Sequence, residues 1–259
     1  MKTGIVSLLF PPKCVSCGRL LEFRGFGAEV FSLCPTCKKL WESELLDSCG
    51  ACGQAISECK CLTVELTRAR CIQLRKRVYY LHGKSTSVQN RILFKMKDHP
   101  AARAADFLAG EMKKSVDALL ADEELDPAQT VLVYLPRSRK KALVSGTDQG
   151  KKLADALSER SGIAVVPAIC RRRGKEKQQK HLTYGERRKN ARETYVLRPR
   201  LRLDGKNVIL IDDIVTTGST LAAATRLLRK IGASRIYAVA VAVDDQNKNA
   251  ELHQPTYRI

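Results

Sequence analysis

From about residue 66 onward, short runs of apolar and β-branched residues alternate with longer amphipathic stretches. Arg77-Val78-Tyr79-Tyr80-Leu81 has the make-up of a strand, and Ser87 to Lys97 sets Val88, Ile92, Leu93 and Met96 on one face of a helix. Ala101 to Leu120 predicts a second helix. Thr130 to Leu135 predicts a buried strand that Pro136 breaks, followed by a helix over Gln149 to Arg160 and a strand over Ala164 to Ile169. Val208-Ile209-Leu210-Ile211 is apolar at every position, as expected of a parallel strand covered on both faces. After Asp212 and Asp213, a helical pattern runs through Leu221, Ala224, Leu227, Leu228 and Ile231 and is stopped by Gly232. The final strand is expected over Arg235 to Val243. Strand and helix alternate throughout, which predicts an α/β fold: a parallel sheet flanked by helices.

Ahead of residue 66 the periodicity gives way to cysteine. Eight of the ten cysteines fall between residues 14 and 61, as Cys14-x2-Cys17, Cys34-x2-Cys37, Cys49-x2-Cys52 and Cys59-x-Cys61. The first four have the pair-spacer-pair arrangement of a zinc ribbon, in which two knuckles offer four thiolates to a tetrahedral ion; the second four repeat it with a tighter return. Gly18 and Gly53 follow second cysteines, where a knuckle turn requires positive φ. Four thiolates leave no open coordination position, so both ions are expected to be structural zinc. Few large apolar residues accompany them, so metal binding is expected to supply folding free energy. The reading is therefore two domains, a double zinc ribbon over 1–65 and an α/β domain over 66–259. Cys71 and Cys170 read as buried thiols.

Lys and Arg number 46 against 27 Asp and Glu, a formal charge of +19. Two filled four-thiolate sites would lower this to about +15, still strongly basic. Such an excess points to a polyanionic partner or a phosphorylated ligand. It is concentrated in Arg137-Ser138-Arg139-Lys140-Lys141 and in the weakly periodic segment 171–192, which holds Arg171, Arg172, Arg173 and Arg187. That segment reads as a basic loop followed by a short helix near Thr183 to Asn190, with Thr183 and Glu186 forming a capping box. The N-terminus has no small-residue cleavage site, and no run approaches the 18 or more apolar residues that a bilayer requires. A soluble, cytoplasmic protein is expected.

Asp212-Asp213 followed by Ile214-Val215-Thr216-Thr217-Gly218-Ser219-Thr220 meets two needs of a sugar phosphate. Carboxylates accept hydrogen bonds from vicinal ribose hydroxyls and suit Mg²⁺. Residues Thr216 to Thr220 offer successive amides, several hydroxyls and the positive end of a helix to a phosphate. A cap role explains one Asp or one Ser but not both acids and three threonines together.

On these residues, VILIDDIVTTGST resembles the ribose-5-phosphate fingerprint of type I phosphoribosyltransferases over thirteen consecutive positions. With the cysteine-rich N-terminus, the whole chain resembles the ComF family. Pro136, the basic stretch Arg137 to Lys141 and Gly146-Thr147-Asp148-Gln149 match a further family motif, as do Gln179, Leu182, Arg187 and Asn190. Ser138 stands where that family usually has histidine, and Thr147-Asp148 replaces Phe-Asn.

The resemblance implies phosphoribosyl pyrophosphate with Mg²⁺ as ligand. Asp212 and Asp213 would hold the ribose and carry any catalysis, Thr216, Thr217, Gly218, Ser219 and Thr220 the 5-phosphate, and Arg137 and Ser138 would face the pyrophosphate. It also implies a competence factor that handles incoming single-stranded DNA through Arg139, Lys140, Lys141, Arg171, Arg172, Arg173 and Arg187. Such a factor would work with the uptake helicase and the recombination mediator at the inner face of the membrane. An active phosphoribosyltransferase of nucleotide metabolism and a scaffold with a regulatory sugar-phosphate site are the alternatives.

Overall fold

The computed structural model describes residues 11–21, 32–82, 84–98, 102–137, 148–172, 194–244 and 252–253. Its centre is a parallel sheet. Strands β4 (Thr130–Tyr134), β7 (Asn207–Val215) and β8 (Ile236–Asp244) lie side by side, and β2 (Leu74–Arg75) and β3 (Val78–Tyr80) follow one another along the outer side of β8. On the other side of β4, a single parallel bridge joins Leu132 to Val165. The backbone of Leu132 bonds both neighbours of Val165: its N–H donates to the Ala164 carbonyl, and its carbonyl accepts from Val166. The segment expected as a strand from Ala164 to Ile169 goes no further because Pro167 has no N–H for a ladder. The chain instead turns into β5 (Ile169–Arg171), antiparallel to β6 (Tyr195–Leu197).

Both faces of the sheet are covered. On one, Ile209, Ile211, Tyr237 and Val239 pack against α4 (Ala102–Asp122), α5 (Gln149–Ser161) and α3 (Val88–Asp98). On the other, Val208, Leu210, Ile236 and Ala238 meet α2 (Val64–Arg68) and α6 (Ser219–Arg229). Side chains of successive strand residues point to opposite faces, which is why the all-apolar stretches become the central strands. The helices predicted near 87–97, 101–120 and 149–160 are present. The helix predicted near Thr183 to Asn190 lies outside the described residues.

Two short elements depart from the sequence reading. α1 (Pro35–Leu45) begins at the second cysteine pair, and β9 (Leu252–His253) follows the expected last strand and pairs antiparallel with β1 (Leu62–Thr63). Cys71 is buried as expected, whereas Cys170 on β5 is half-buried.

The cysteine-rich segment rests on the α/β domain. Trp41 of α1 is buried edge-on against Phe107 of α4, with ring centroids 5.1 Å apart. Among the described residues, no helix is long and apolar enough to cross a membrane.

Candidate functional site

The strand order reverses between β4 and β7. From β4 the chain proceeds outward to the Val165 bridge, and from β7 it proceeds the opposite way to β8. Open α/β sheets form their ligand crevices at such switch points, beyond the carboxyl ends of the strands. The two segments that leave these ends are Leu135–Arg137 and the stretch after Ile211.

At Asp212 and Asp213 the strand turns over. Ile211 and Ile214 pack on the same face, while Val215 joins Val208 and Leu210 on the other. Strict alternation would put Ile211 and Ile214 on opposite faces. The register with β8 pairs Asp212 with Ala240 and Ile214 with Ala242, passing over Asp213. The outer edge is interrupted at the same level, between β2 and β3. Each acid secures the amide that follows it: Asp212 Oδ1 accepts from the Asp213 N–H at 2.9 Å, and Asp213 Oδ1 from the Ile214 N–H at 2.8 Å. The adjacent acids thus stabilise a turned strand end, and both remain half-buried rather than solvated.

The hydroxyl-rich stretch then closes into α6. Thr217 Oγ1 lies 2.9 Å from Ser219 Oγ and accepts from the Ser219 N–H at 3.3 Å. Gly218 occupies the N-cap with φ +74°, in the left-handed region. A Cβ there would come within 2.3 Å of Thr63 Oγ1 and 3.2 Å of Leu66 Cγ. The glycine is therefore required by its dihedral angle and by the close approach of α2, which supports the stretch from beneath.

Asp148 ties the other wall together. It caps α5 through the Gly150 and Lys151 amides and accepts from the Arg137 N–H at 3.2 Å, so both ends of the basic loop after β4 are joined at one carboxylate. The paired strands β5 and β6 form a third wall. Arg171 lies 5.7 Å from the centroid of the Tyr195 ring, and its Nε is buried without a hydrogen-bond partner among the described residues. Burial pushes the Tyr195 hydroxyl up to about 12; Asp212 and Asp148 add to the rise while Arg171 opposes it. That ring therefore lies within the field of acids from two walls. The Arg172 N–H bonds the Thr194 carbonyl at 2.8 Å. Ser138, Arg139, Lys140, Lys141, Arg173 and Arg187 lie outside the described residues.

The eight cysteines gather into two groups of four. Cys14, Cys17, Cys34 and Cys37 form one, and Cys49, Cys52, Cys59 and Cys61 the other, with the sulfurs of each group within 4.8 Å of one another. A tetrahedral ion with bonds of about 2.3 Å to sulfur requires sulfurs about 3.8 Å apart. The Cys17–Cys34 and Cys52–Cys59 separations are 3.7 and 3.6 Å, so both groups fit.

The first pair of each group is a knuckle of the expected kind. Gly18 has φ +78° and Gly53 φ +72°, and each donates its N–H to the carbonyl of the first cysteine in its pair. The bridges Lys13–Leu20 and Ser48–Ala55 flank the two turns identically. The return pairs are not knuckles: Cys34 is the N-cap of α1, where Pro35 favours a helical start, and Cys59-x-Cys61 lies in the irregular stretch just before β1. Burial opposes ionisation of Cys14, but hydrogen bonds from the Cys34, Cys17 and Ser16 backbone outweigh it and lower that thiol to about 6. Cys59 is lowered to about 4, first by the Cys61 thiol and then, against burial, by the Lys76 ammonium.

Three features escape sequence reading because they join distant positions. His82 Nε2 lies 2.8 Å from the buried carboxylate of Asp244, at the carboxyl ends of β3 and β8. Lys76 is fully buried beside the second cysteine group. Asp148, read as part of a motif, is the cap that ties Arg137 to α5.

Residues 142–258 match the family model for the phosphoribosyl transferase domain. The match contains α5, β7, the acid pair, the hydroxyl-rich stretch and β8. An 80-residue stretch is 38% identical to a ribose-phosphate pyrophosphokinase of Thermoplasma volcanium, covering 31% of this chain and 27% of that one. A 103-residue stretch is 37% identical to an adenine phosphoribosyltransferase of Mycobacterium marinum, covering 39% and 54%. The chain thus spans about a quarter to a half of the length of these relatives. A hypoxanthine phosphoribosyltransferase structure from Staphylococcus aureus aligns with TM-score 0.36 at 16% identity, over 59% of this chain and 71% of that one. The matched range begins upstream of the acid pair, and the four-cysteine groups precede it.

Proposed function

We propose that the α/β domain binds phosphoribosyl pyrophosphate, or the ribose 5-phosphate part of it, at the carboxyl end of β7. The observation that carries this reading is two half-buried carboxylates at a strand switch point, followed at once by a left-handed glycine and a helix start. Asp212 and Asp213 would accept from the ribose hydroxyls, and Thr216 to Thr220 would take the 5-phosphate. Arg137 and Ser138 would face the pyrophosphate. Arg171, whose buried Nε has no hydrogen-bond partner among the described residues, is a further group suited to an anion. Mg²⁺, when bound, would neutralise charge on the pyrophosphate, with the two acids supplying hard oxygen ligands. The relatives' names, a ribose-phosphate pyrophosphokinase and an adenine phosphoribosyltransferase, have a ribosyl phosphate in common. Calorimetry with phosphoribosyl pyrophosphate and Mg²⁺ should give saturable heat, with affinity that Asp213→Asn weakens; no heat from the folded wild type overturns the reading.

The two cysteine groups are proposed to hold structural zinc, two ions per chain, since four thiolates at tetrahedral spacing leave no position for substrate. The division into residues 1–65 and 66–259 is retained as a proposal, with the shorter unit built around these ions.

In the cell, we propose a ComF-like role in handling single-stranded DNA at the uptake machinery, alongside its helicase and the recombination mediator, on the cytoplasmic face of the membrane. The support is the formal charge of +19 and the siting of Arg171 and Arg172 at the base of the most basic segment. Oligonucleotide affinity should fall steeply with salt and drop in Arg172→Glu; indifference to salt would argue against DNA.

Phosphoribosyl transfer is the second reading. It is favoured by the His82–Asp244 pair, which supplies an imidazole held by a carboxylate at the same edge of the sheet. Val215 pairs with Val243, so Asp244 lies one step along β8 at the level of Thr216. Pyrophosphate release that depends on an added base and fails in His82→Ala would select this reading over binding alone.

A further inference from the structure

Two consecutive cations, Lys76 and Arg77, are buried between β2 and β3 and serve opposite faces of the sheet. Arg77 meets a carboxylate, Glu111 of α4, at 3.1 Å. Lys76 meets none among the described residues. Its side chain is completely buried, and its Nζ donates to the Cys61 carbonyl at 2.9 Å and the Leu74 carbonyl at 3.4 Å. An isolated buried charge is costly to desolvate, so a buried ammonium calls for an anion. What faces Lys76 is the second cysteine group, which is anionic when filled: four thiolates and one divalent ion carry two net negative charges.

We infer that Lys76 is the counter-cation of the second four-cysteine centre, placed by the sheet to balance the net negative charge of its four thiolates when a metal ion is bound. The inference rests on the reading of the cysteines as metal sites. Its consequence is architectural. The centre is not a detachable knuckle but part of the sheet edge, because its counter-charge comes from the junction of β2 and β3. The surrounding packing agrees: Cys49, Ile56, Cys59 and Cys61 share one apolar cluster with Tyr79 of β3 and Val243 of β8. The first centre is served more loosely, by Arg91 of α3, whose Nη2 lies 4.0 Å from Cys37 Sγ while its Nε bonds Ser16 at 3.0 Å.

The test uses the full-length chain as wild type, Lys76→Met, Lys76→Arg and Arg91→Met. Zinc content is measured by elemental analysis, and zinc release by titrating the thiols with a mercurial in the presence of a chromophoric chelator. Partners of metal ligands typically contribute about 10–100-fold in affinity. Lys76→Met should therefore release one of two ions about 10–100-fold faster, with the other unchanged and Lys76→Arg near wild type. Arg91→Met should affect the other ion, and less. In the cobalt-substituted protein, Lys76→Met should shift the thiolate-to-metal absorption of one centre. Two ions released at wild-type rates from Lys76→Met, with unshifted absorption, overturn the inference. Should the Met variant fail to fold, Lys76→Gln, which keeps a donor without charge, decides: faster release from Gln than from Arg supports the charge role, and equal release overturns it. A wild type that purifies free of metal would remove the zinc reading itself, whereas normal stoichiometry with an unaffected Met variant removes only the role of Lys76.

Discussion

Replacing Gly218 by alanine tests whether the hydroxyl-rich stretch is held from below by α2. The new Cβ would lie 2.3 Å from Thr63 Oγ1 and 3.2 and 3.4 Å from Leu66 Cγ and Cδ1, at a φ of +74°. A left-handed alanine costs about 1–2 kcal/mol. The clash is relieved either by pushing α2 outward, at about 1–3 kcal/mol for overpacking, or by rotating Thr63. Rotation gives up its bond from the Leu66 N–H and the cap of α2, worth about 1 kcal/mol. Gly218→Ala should therefore destabilise by about 2–5 kcal/mol in urea unfolding.

The double-mutant cycle isolates the contact. Thr63→Ala alone removes the cap, at about 1 kcal/mol. In the Gly218→Ala background it also removes the atom struck, so the double variant should be more stable than the sum of the single effects by about 1–3 kcal/mol. Thr63→Val, which keeps the volume, should not rescue. Affinity for phosphoribosyl pyrophosphate should follow the same pattern, because the displaced residues are those proposed to bind phosphate. Strict additivity of Gly218→Ala and Thr63→Ala would refute the idea that α2 positions the stretch.

Asp213→Asn can still accept the Ile214 amide, so it should keep the fold while losing about 10–100-fold in Mg²⁺-dependent affinity for phosphoribosyl pyrophosphate by calorimetry. Arg171→Met and Arg172→Met separate the two anion roles: the first should weaken phosphoribosyl pyrophosphate binding. The second should weaken the oligonucleotide and flatten its log–log salt slope by about 0.7 if it contacts one phosphate. Burial works against the Glu111 carboxylate, but Lys114 and Arg77 prevail and hold its titration below the usual range. Its stabilisation is thus complete above the unfolded value of about 4.3 and is lost as pH falls through the depressed folded value. Glu111→Gln, which breaks a nearly buried ion pair, should cost about 3–5 kcal/mol at pH 7. Urea midpoints of variant and wild type should converge as the pH falls below 4; a gap that stays constant with pH would exclude the pair as its source.

The sheet was legible because its strands obey a simple rule. Val208 to Ile211 and Ile236 to Val243 present apolar or aromatic side chains to both faces, as a doubly covered strand requires. Ala164 to Ile169 looked similar but yields one bridge, since the ladder needs the N–H that Pro167 lacks. The acid pair stands out in the sequence, but its geometry does not. Its neighbours Ile211 and Ile214 share a face only because the strand turns over, and no pattern of residue types shows that turn. The return cysteines misled for a local reason: Cys34-x2-Cys37 has knuckle spacing, yet Pro35 starts a helix whose buried face in α1 is little more than Cys37 and Trp41. The string Arg75-Lys76-Arg77 sets three cations in a row. In the fold, these side chains find Asp122, the second cysteine group and Glu111 respectively. Partners so far apart in sequence carry no local signal.

These same contacts bear on how the cysteine segment and the α/β domain depend on each other. A segment with few large apolar residues should rely on metal for its stability, and the gathering of eight cysteines into two groups of four agrees. Yet Trp41 buries itself on Phe107, Tyr79 lies beneath the second group, and Thr63, two residues past the last cysteine, lies under Gly218. The segment thus borrows core from the domain and gives back the support of its hydroxyl-rich stretch. Removing it would uncover Phe107 and Tyr79 and leave Lys76 without its anion. Losses of that kind fall on the sheet edge and on the candidate site together, so an α/β fragment lacking the cysteines should fail in stability and in ligand binding at once, not in one alone.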